Sequence, residues 1–135
     1  MTTTTATATD AILALKFLQS FICPEQMIVL TQMIDGEEKE FFVEKLVELA
    51  ERIKGMPKTY ETDGLGLEAV AYLHYFKNGF DWYMTEKDME PEQLQAFGLV
   101  KMFEEEYGYI SIEELKAAGV EIDLYFSPTA LKELK

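Results

Sequence analysis

The sequence predicts an α+β fold: three N-terminal helices packed on a C-terminal antiparallel β-sheet of four or five strands, with one short helix inserted before the last strand. Three observations carry this. Apolar residues recur at helical spacing through residues 10–55. The dipeptide Asn78-Gly79 separates two runs of alternating aromatic residues, and strict alternation returns in residues 120–126.

Taken in order, the threonine-rich residues 1–9 read as a flexible tail, with Thr9 or Asp10 able to cap the first helix. In AILALKFLQSFI, Ile12, Leu15, Leu18 and Ile22 form a stripe that Leu13, Phe17 and Phe21 widen. Pro24 suits the first turn of a second helix, which Asp35-Gly36 closes. The third helix, residues 37–54, lines one face with Phe42, Leu46, Leu49 and Ile53, beside Phe41, Val43, Val47 and Ala50. Glu37, Glu38 and Glu40 at its start and Arg52 and Lys54 near its end match the helix dipole, and Gly55 and Pro57 stop it. Residues 56–69, with Pro57, Gly64 and Gly66, form a connector between this helical part and a β-rich acidic part at 70–135, the whole reading as one compact domain.

Asn78-Gly79 is a type I′ hairpin signal, because both residues tolerate positive φ. A two-residue loop there pairs Lys77 with Phe80, Tyr75 with Trp82, His74 with Tyr83 and Leu73 with Met84. One face then carries Leu73, Tyr75, Phe80, Trp82 and Met84 and reads as core. The other carries Tyr72, His74, Phe76, Asp81, Tyr83 and Thr85, an aromatic surface with polar tips. Residues 87–93 read as a polar turn containing Pro91, 96–103 as the third strand and 107–110 as the fourth, joined across Glu104-Glu105-Glu106. Ser111 and Glu114 form a capping box for IEELKAA, which Gly119 ends. In residues 120–126, Val120, Ile122 and Leu124 alternate with Glu121, Asp123 and Tyr125, the pattern of a half-buried strand. Ser127-Pro128 can cap a last helical turn in TALKELK.

Composition narrows the function. The 135 residues carry a net charge of −13, which disfavours contact with a nucleic-acid backbone. Residues 1–60 hold 6 basic and 9 acidic side chains (−3), and residues 61–135 hold 6 and 16 (−10), so the acidity is concentrated in the C-terminal half. The N-terminus lacks the basic region of a secretory leader, no apolar run reaches the ~18 residues of a membrane span, and the single Cys23 forms no internal disulfide; a cytoplasmic location away from membranes is expected.

No catalytic set stands out. His74 with Asp81 and Tyr83 has the residue types of a carboxylate-oriented general base, and equally of a histidine held by its neighbours on a sheet face. Glu86, Asp88 and Glu90 offer oxygen ligands, but the stretch lacks the glycine and later bidentate glutamate of a calcium loop and reads instead as a solvated acidic turn. One His and one distant Cys do not make a zinc site. Cys23 reads as a buried thiol, and Gly64-Leu65-Gly66 lacks the lysine of a phosphate loop. No metal and no cofactor is expected. Met27 and Met33 read as core filler or as part of a partner-facing groove.

One resemblance bears on function. The segments Tyr75-Phe76, Asp81-Trp82-Tyr83, Thr85-Glu86-x-Asp88, Phe97-Gly98-Leu99-Val100, residues 106–115 (EYGYISIEEL) and residues 121–126 (EIDLYF) occur in this order. Over residues 70–126 or so the chain resembles a family of small bacterial proteins of unknown function carried on plasmids, integrative conjugative elements and phages. The helical N-terminal part is similar to an extension of some longer members. The resemblance implies service to a mobile element, against a host or in its own maintenance, and no activity.

The expected function is a non-enzymatic acidic binding protein that engages a basic protein surface, in its concrete form an inhibitor of a restriction or CRISPR nuclease. The expected partner-facing residues are Tyr72, His74, Asp81, Tyr83, Glu86, Asp88, Glu90, Glu104, Glu105, Glu106, Glu121 and Asp123. Two alternatives stand beside it. One is a small hydrolase or ligand-binding enzyme using His74 with Asp81 and Tyr83; the other is an accessory protein that forms a homodimer through its aromatic sheet face.

Overall fold

The computed structural model describes residues 7–58, 61–62, 64–87 and 95–134. Three helices, α1 (Ala8–Leu18), α2 (Pro24–Met33) and α3 (Lys39–Lys54), precede the strands β1 (Val70–Ala71), β2 (Leu73–Lys77), β3 (Phe80–Lys87), β4 (Gln95–Lys101) and β5 (Glu105–Ser111). The short helix α4 (Ile112–Ala117), β6 (Glu121–Ile122) and β7 (Thr129–Ala130) complete the order. The main sheet is antiparallel with strand order β5-β4-β3-β2-β6, and β1 pairs separately with β7. This is the expected α+β architecture.

The hairpin forms in the expected register. Asn78 and Gly79 sit at φ 52° and 85°, and the four expected pairs meet across β2 and β3. The three helices cover the Leu73, Tyr75 and Met84 face. Leu18, Ile22, Leu30, Leu46 and Ile53 pack against these residues and Ile122 in one core shared by helices and sheet, with Trp82 at its half-buried edge. A buried amide closes the sheet's short edge: Gln26 on α2 donates to the Ile122 carbonyl and accepts from the Ile122 N–H, both at 2.9 Å. It thereby stands in for a neighbouring strand.

The opposite face is covered by chain segments instead of helices. Ala69, Ala71, Leu99 and Leu131 form a small second core, with Tyr83, Phe126 and Leu134 against it. The strap that supplies Leu131 is fixed by the β1–β7 pairing, by Lys101 Nζ on the Leu134 carbonyl (2.7 Å) and by Arg52 on the Phe126 carbonyl (2.8 Å).

Several expectations are corrected. The first helix is capped by Thr7 in a reciprocal capping box with Asp10, two residues before Thr9 and three before Asp10, the expected caps, and it ends at Leu18. Its inner face carries Ala11 and Ala14, while Ile12 (52 % exposed) and Leu13 (60 %) point outward. Phe41, expected beside the buried face of α3, is also exposed. Tyr72, expected on the far face of the ribbon, packs against the main core, and Thr85 is buried. Glu105 and Glu106 begin β5 and are not connector; the turn is 102–104. The expected strand at 120–126 stops at Ile122, because Asp123 turns the chain, its Oδ1 accepting from the Tyr125 N–H at 2.9 Å. Residues 129–130 pair as β7 before a 3₁₀ turn at Leu131–Glu133, where a helical turn was expected throughout.

Candidate functional site

Cross-strand register sorts the far face of the sheet into rows. His74, Tyr83, Leu99 and Tyr107 are opposite one another across β2 to β5, and Phe76, Asp81, Lys101 and Glu105 form the next row. Alternation alone places all eight side chains on this face. Between Met84 and Glu86 the ladder carries a bulge. Gly98 is required opposite it, since a Cβ there would lie 1.8 Å from the Tyr83 carbonyl oxygen.

His74 is held from both sides. Its Nε2 is 2.7 Å from Asp81 Oδ1, and its Nδ1 is 3.0 Å from Asp123 Oδ2, while the Asp123 N–H donates to the His74 carbonyl. Tyr83 stacks on the imidazole with ring centroids 4.6 Å apart, and Phe76 and Phe126 close around it. Both ring nitrogens are thus engaged by carboxylates of the chain itself, and neither is left without a partner. Burial first, then the nearby charges of Asp81 and Asp123, raise the Tyr83 pKa above the ordinary phenol value and hold its hydroxyl protonated. Chemically this cluster ties β6 and the strap to the hairpin.

The acidic residues separate into different settings. Glu104 stands in the β4–β5 turn beside Phe103, which is 91 % exposed, and Glu105 and Glu106 follow it at the start of β5, both exposed. Glu105 lies 3.6 Å from Lys101. Glu106 points to the other face, opposite Val100. Glu121 is exposed in β6. Glu86, expected in a solvated acidic turn, is instead only 3 % exposed in β3, and its carboxylate accepts from the Thr62 N–H at 2.9 Å and from the Thr62 hydroxyl. It pins the connector to the sheet. Asp88 and Glu90 lie outside the described residues.

Sequence reasoning placed His74 with Asp81 and missed Asp123 as its second partner. The alternation of 120–126 put Asp123 on a polar face, but only the β2–β6 pairing brings it to the imidazole. Among the described residues no group of three His, Cys, Asp or Glu side chains is arranged to hold a metal ion. No helix is long and apolar enough to cross a membrane, again among the described residues.

Comparison with known proteins finds no matching family model, no matching curated protein and no matching solved structure.

Proposed function

We propose that this chain is a non-enzymatic acidic binding protein of a bacterial mobile element, which inhibits a host defence nuclease of the restriction or CRISPR type by engaging its basic nucleic-acid-binding surface. The observation that carries the reading is the β4–β5 turn and the start of β5, where Glu104 in the turn and Glu105 and Glu106 in the strand stand exposed next to the exposed Met102 and Phe103. Carboxylates around an apolar tip are suited to a basic surface that has some carbon to cover. The −10 balance of residues 61–135 and the resemblance to proteins of mobile elements support the same reading. The double carboxylate hold on His74 favours a structural over a catalytic use of that residue.

The test is DNA cleavage by purified restriction and CRISPR nucleases, with and without the protein, at low and high salt. Inhibition at low salt that weakens at high salt is expected, because exposed charges are screened. The combined change Glu104→Lys, Glu105→Lys, Glu106→Lys should weaken inhibition on the order of a hundredfold with the fold intact by circular dichroism. A triple variant that inhibits as well as the parent overturns the electrostatic reading; a protein that inhibits no nuclease overturns the nuclease assignment.

A further inference from the structure

We infer that the chain forms a dimer through β5, whose free edge pairs antiparallel with the same strand of a second copy, Gly108 facing Gly108 on the two-fold axis. This goes beyond the acidic-binder reading and does not depend on it.

The two edges of the main sheet are finished differently. At one edge β6 is two residues long, and Gln26 bonds to both backbone groups of Ile122. At the other, β5 runs seven residues, Glu105–Ser111, and among the described residues it pairs only with β4. About half of its N–H and C=O groups therefore point away from the sheet, and another strand is what satisfies such a row. The usual guards of an edge are absent. The strand contains no lysine or proline, its register with β4 is unbroken from Glu105 to Ser111, and its last five residues, YGYIS, carry no charge. Among the described residues nothing overhangs it. Glu106 is exposed on the helix side, a Cβ on Gly108 would meet nothing within 4 Å, and Tyr107 and Tyr109 are exposed on the strap side.

The sequence of the strand selects the occupant. A basic segment would find carboxylates only at Glu105 and Glu106, the first two positions of the strand. A second β5 engages all of them. Centred on Gly108, antiparallel pairing sets Tyr107 against Tyr109 twice, Glu106 against Ile110 and Glu105 against Ser111, each pair on one face of the sheet. The antiparallel direction carries the acidic ends apart. The nearest carboxylate-bearing positions, Glu106 and its copy, stand four residues apart along the strands, about 13 Å, beyond the ~8 Å reach of charge at physiological salt. Centring on Tyr107 halves that separation, and centring on Tyr109 leaves Glu105 and Glu106 unpaired. The charge of −13 on each copy opposes association as a whole, so added salt strengthens the dimer, the reverse of its effect on binding to a basic surface.

The experiment is sedimentation velocity of the full-length protein over a concentration series at low and high salt. A dimer that tightens with salt is expected. Gly108→Glu and Gly108→Lys each set like charges opposite one another on the axis and should weaken the dimer about tenfold or more. Their melting temperatures should stay near that of the monomeric parent, because the new Cβ enters open space. Gly108→Ala, the neutral control, should dimerise as the parent does. Mixing the Gly108→Glu and Gly108→Lys variants should restore association, since opposite charges then meet on the axis. A parent that stays monomeric throughout overturns the inference. So does a dimer that neither charged variant weakens, which would place the contact elsewhere, and a mixture that stays monomeric rejects the pairing centred on Gly108.

Discussion

The two faces of the five-stranded sheet bury side chains by different means. On one face three helices lay Leu18, Leu30, Leu46 and Ile53 over Leu73, Tyr75 and Met84, and the result is continuous apolar core in which the Tyr75 hydroxyl finds the Phe21 carbonyl. On the other face two extended segments supply Ala69, Ala71 and Leu131 against Leu99, with Phe126 and Leu134 half-buried beside them, and the rest is closed by His74, Asp81, Asp123, Lys101 and Arg52 through hydrogen bonds and ion pairs. A helix advances about 1.5 Å per residue and concentrates side chains on one stripe, whereas a strap advances about 3.3 Å and turns every second side chain away. The strap side therefore brings fewer large apolar side chains onto the sheet.

The comparison is broken most completely at Gly98, which serves both faces. Gly98→Ala drives a methyl group into the Tyr83 carbonyl and should cost about 4 kcal/mol or more, read as loss of cooperative thermal unfolding. Next come paired truncations. Leu46→Ala in the helical core should cost about 3 kcal/mol, and Leu131→Ala in the small core about 2 kcal/mol, by denaturant unfolding. Hydrogen exchange should separate them, with the Leu131 variant loosening β1 and β7 while the helices keep their protection. Equal loss of protection everywhere would show that the two faces do not differ in local stability.

Gln26→Leu leaves the buried Ile122 N–H and carbonyl without their side-chain partners and should cost about 2 kcal/mol, with faster exchange at Ile122. The smallest effect belongs to Tyr83. Its pKa is raised in the folded chain, so its contribution is complete below the ordinary value of 10.0 and is lost as pH rises through the folded value. Stability should fall above pH 10, and Tyr83→Phe should fall less steeply in urea titrations at several alkaline pH values. Identical slopes would remove Tyr83 from the alkaline response.

Legibility followed the range of the interactions. The hairpin register was readable because Asn78-Gly79 sets it within two residues, and Ser111 declared its helix through a bond to the amide three residues on. The buried face of α1 was not. Between Ala11 and Ile22 nearly every residue is apolar, so the pattern wraps the helix, and packing against α3 turned Ala11 and Ala14 inward at the expense of Ile12 and Leu13. Glu86 read as solvated because its neighbours in sequence are acidic, yet its partner Thr62 is 24 residues away.

By itself the sequence determined the α+β class, the three helices, the hairpin and its register, and the concentration of negative charge in residues 61–135. Caps, turns and side-chain periodicity act over a few residues and are written locally. Tertiary structure decided which helical face is buried, where the strand after Val120 stops, that Asp123 joins Asp81 on His74, and that the far face closes with a strap. Each of these depends on segments tens of residues apart meeting in one register, and that register follows from filling the space between helices, sheet and strap together.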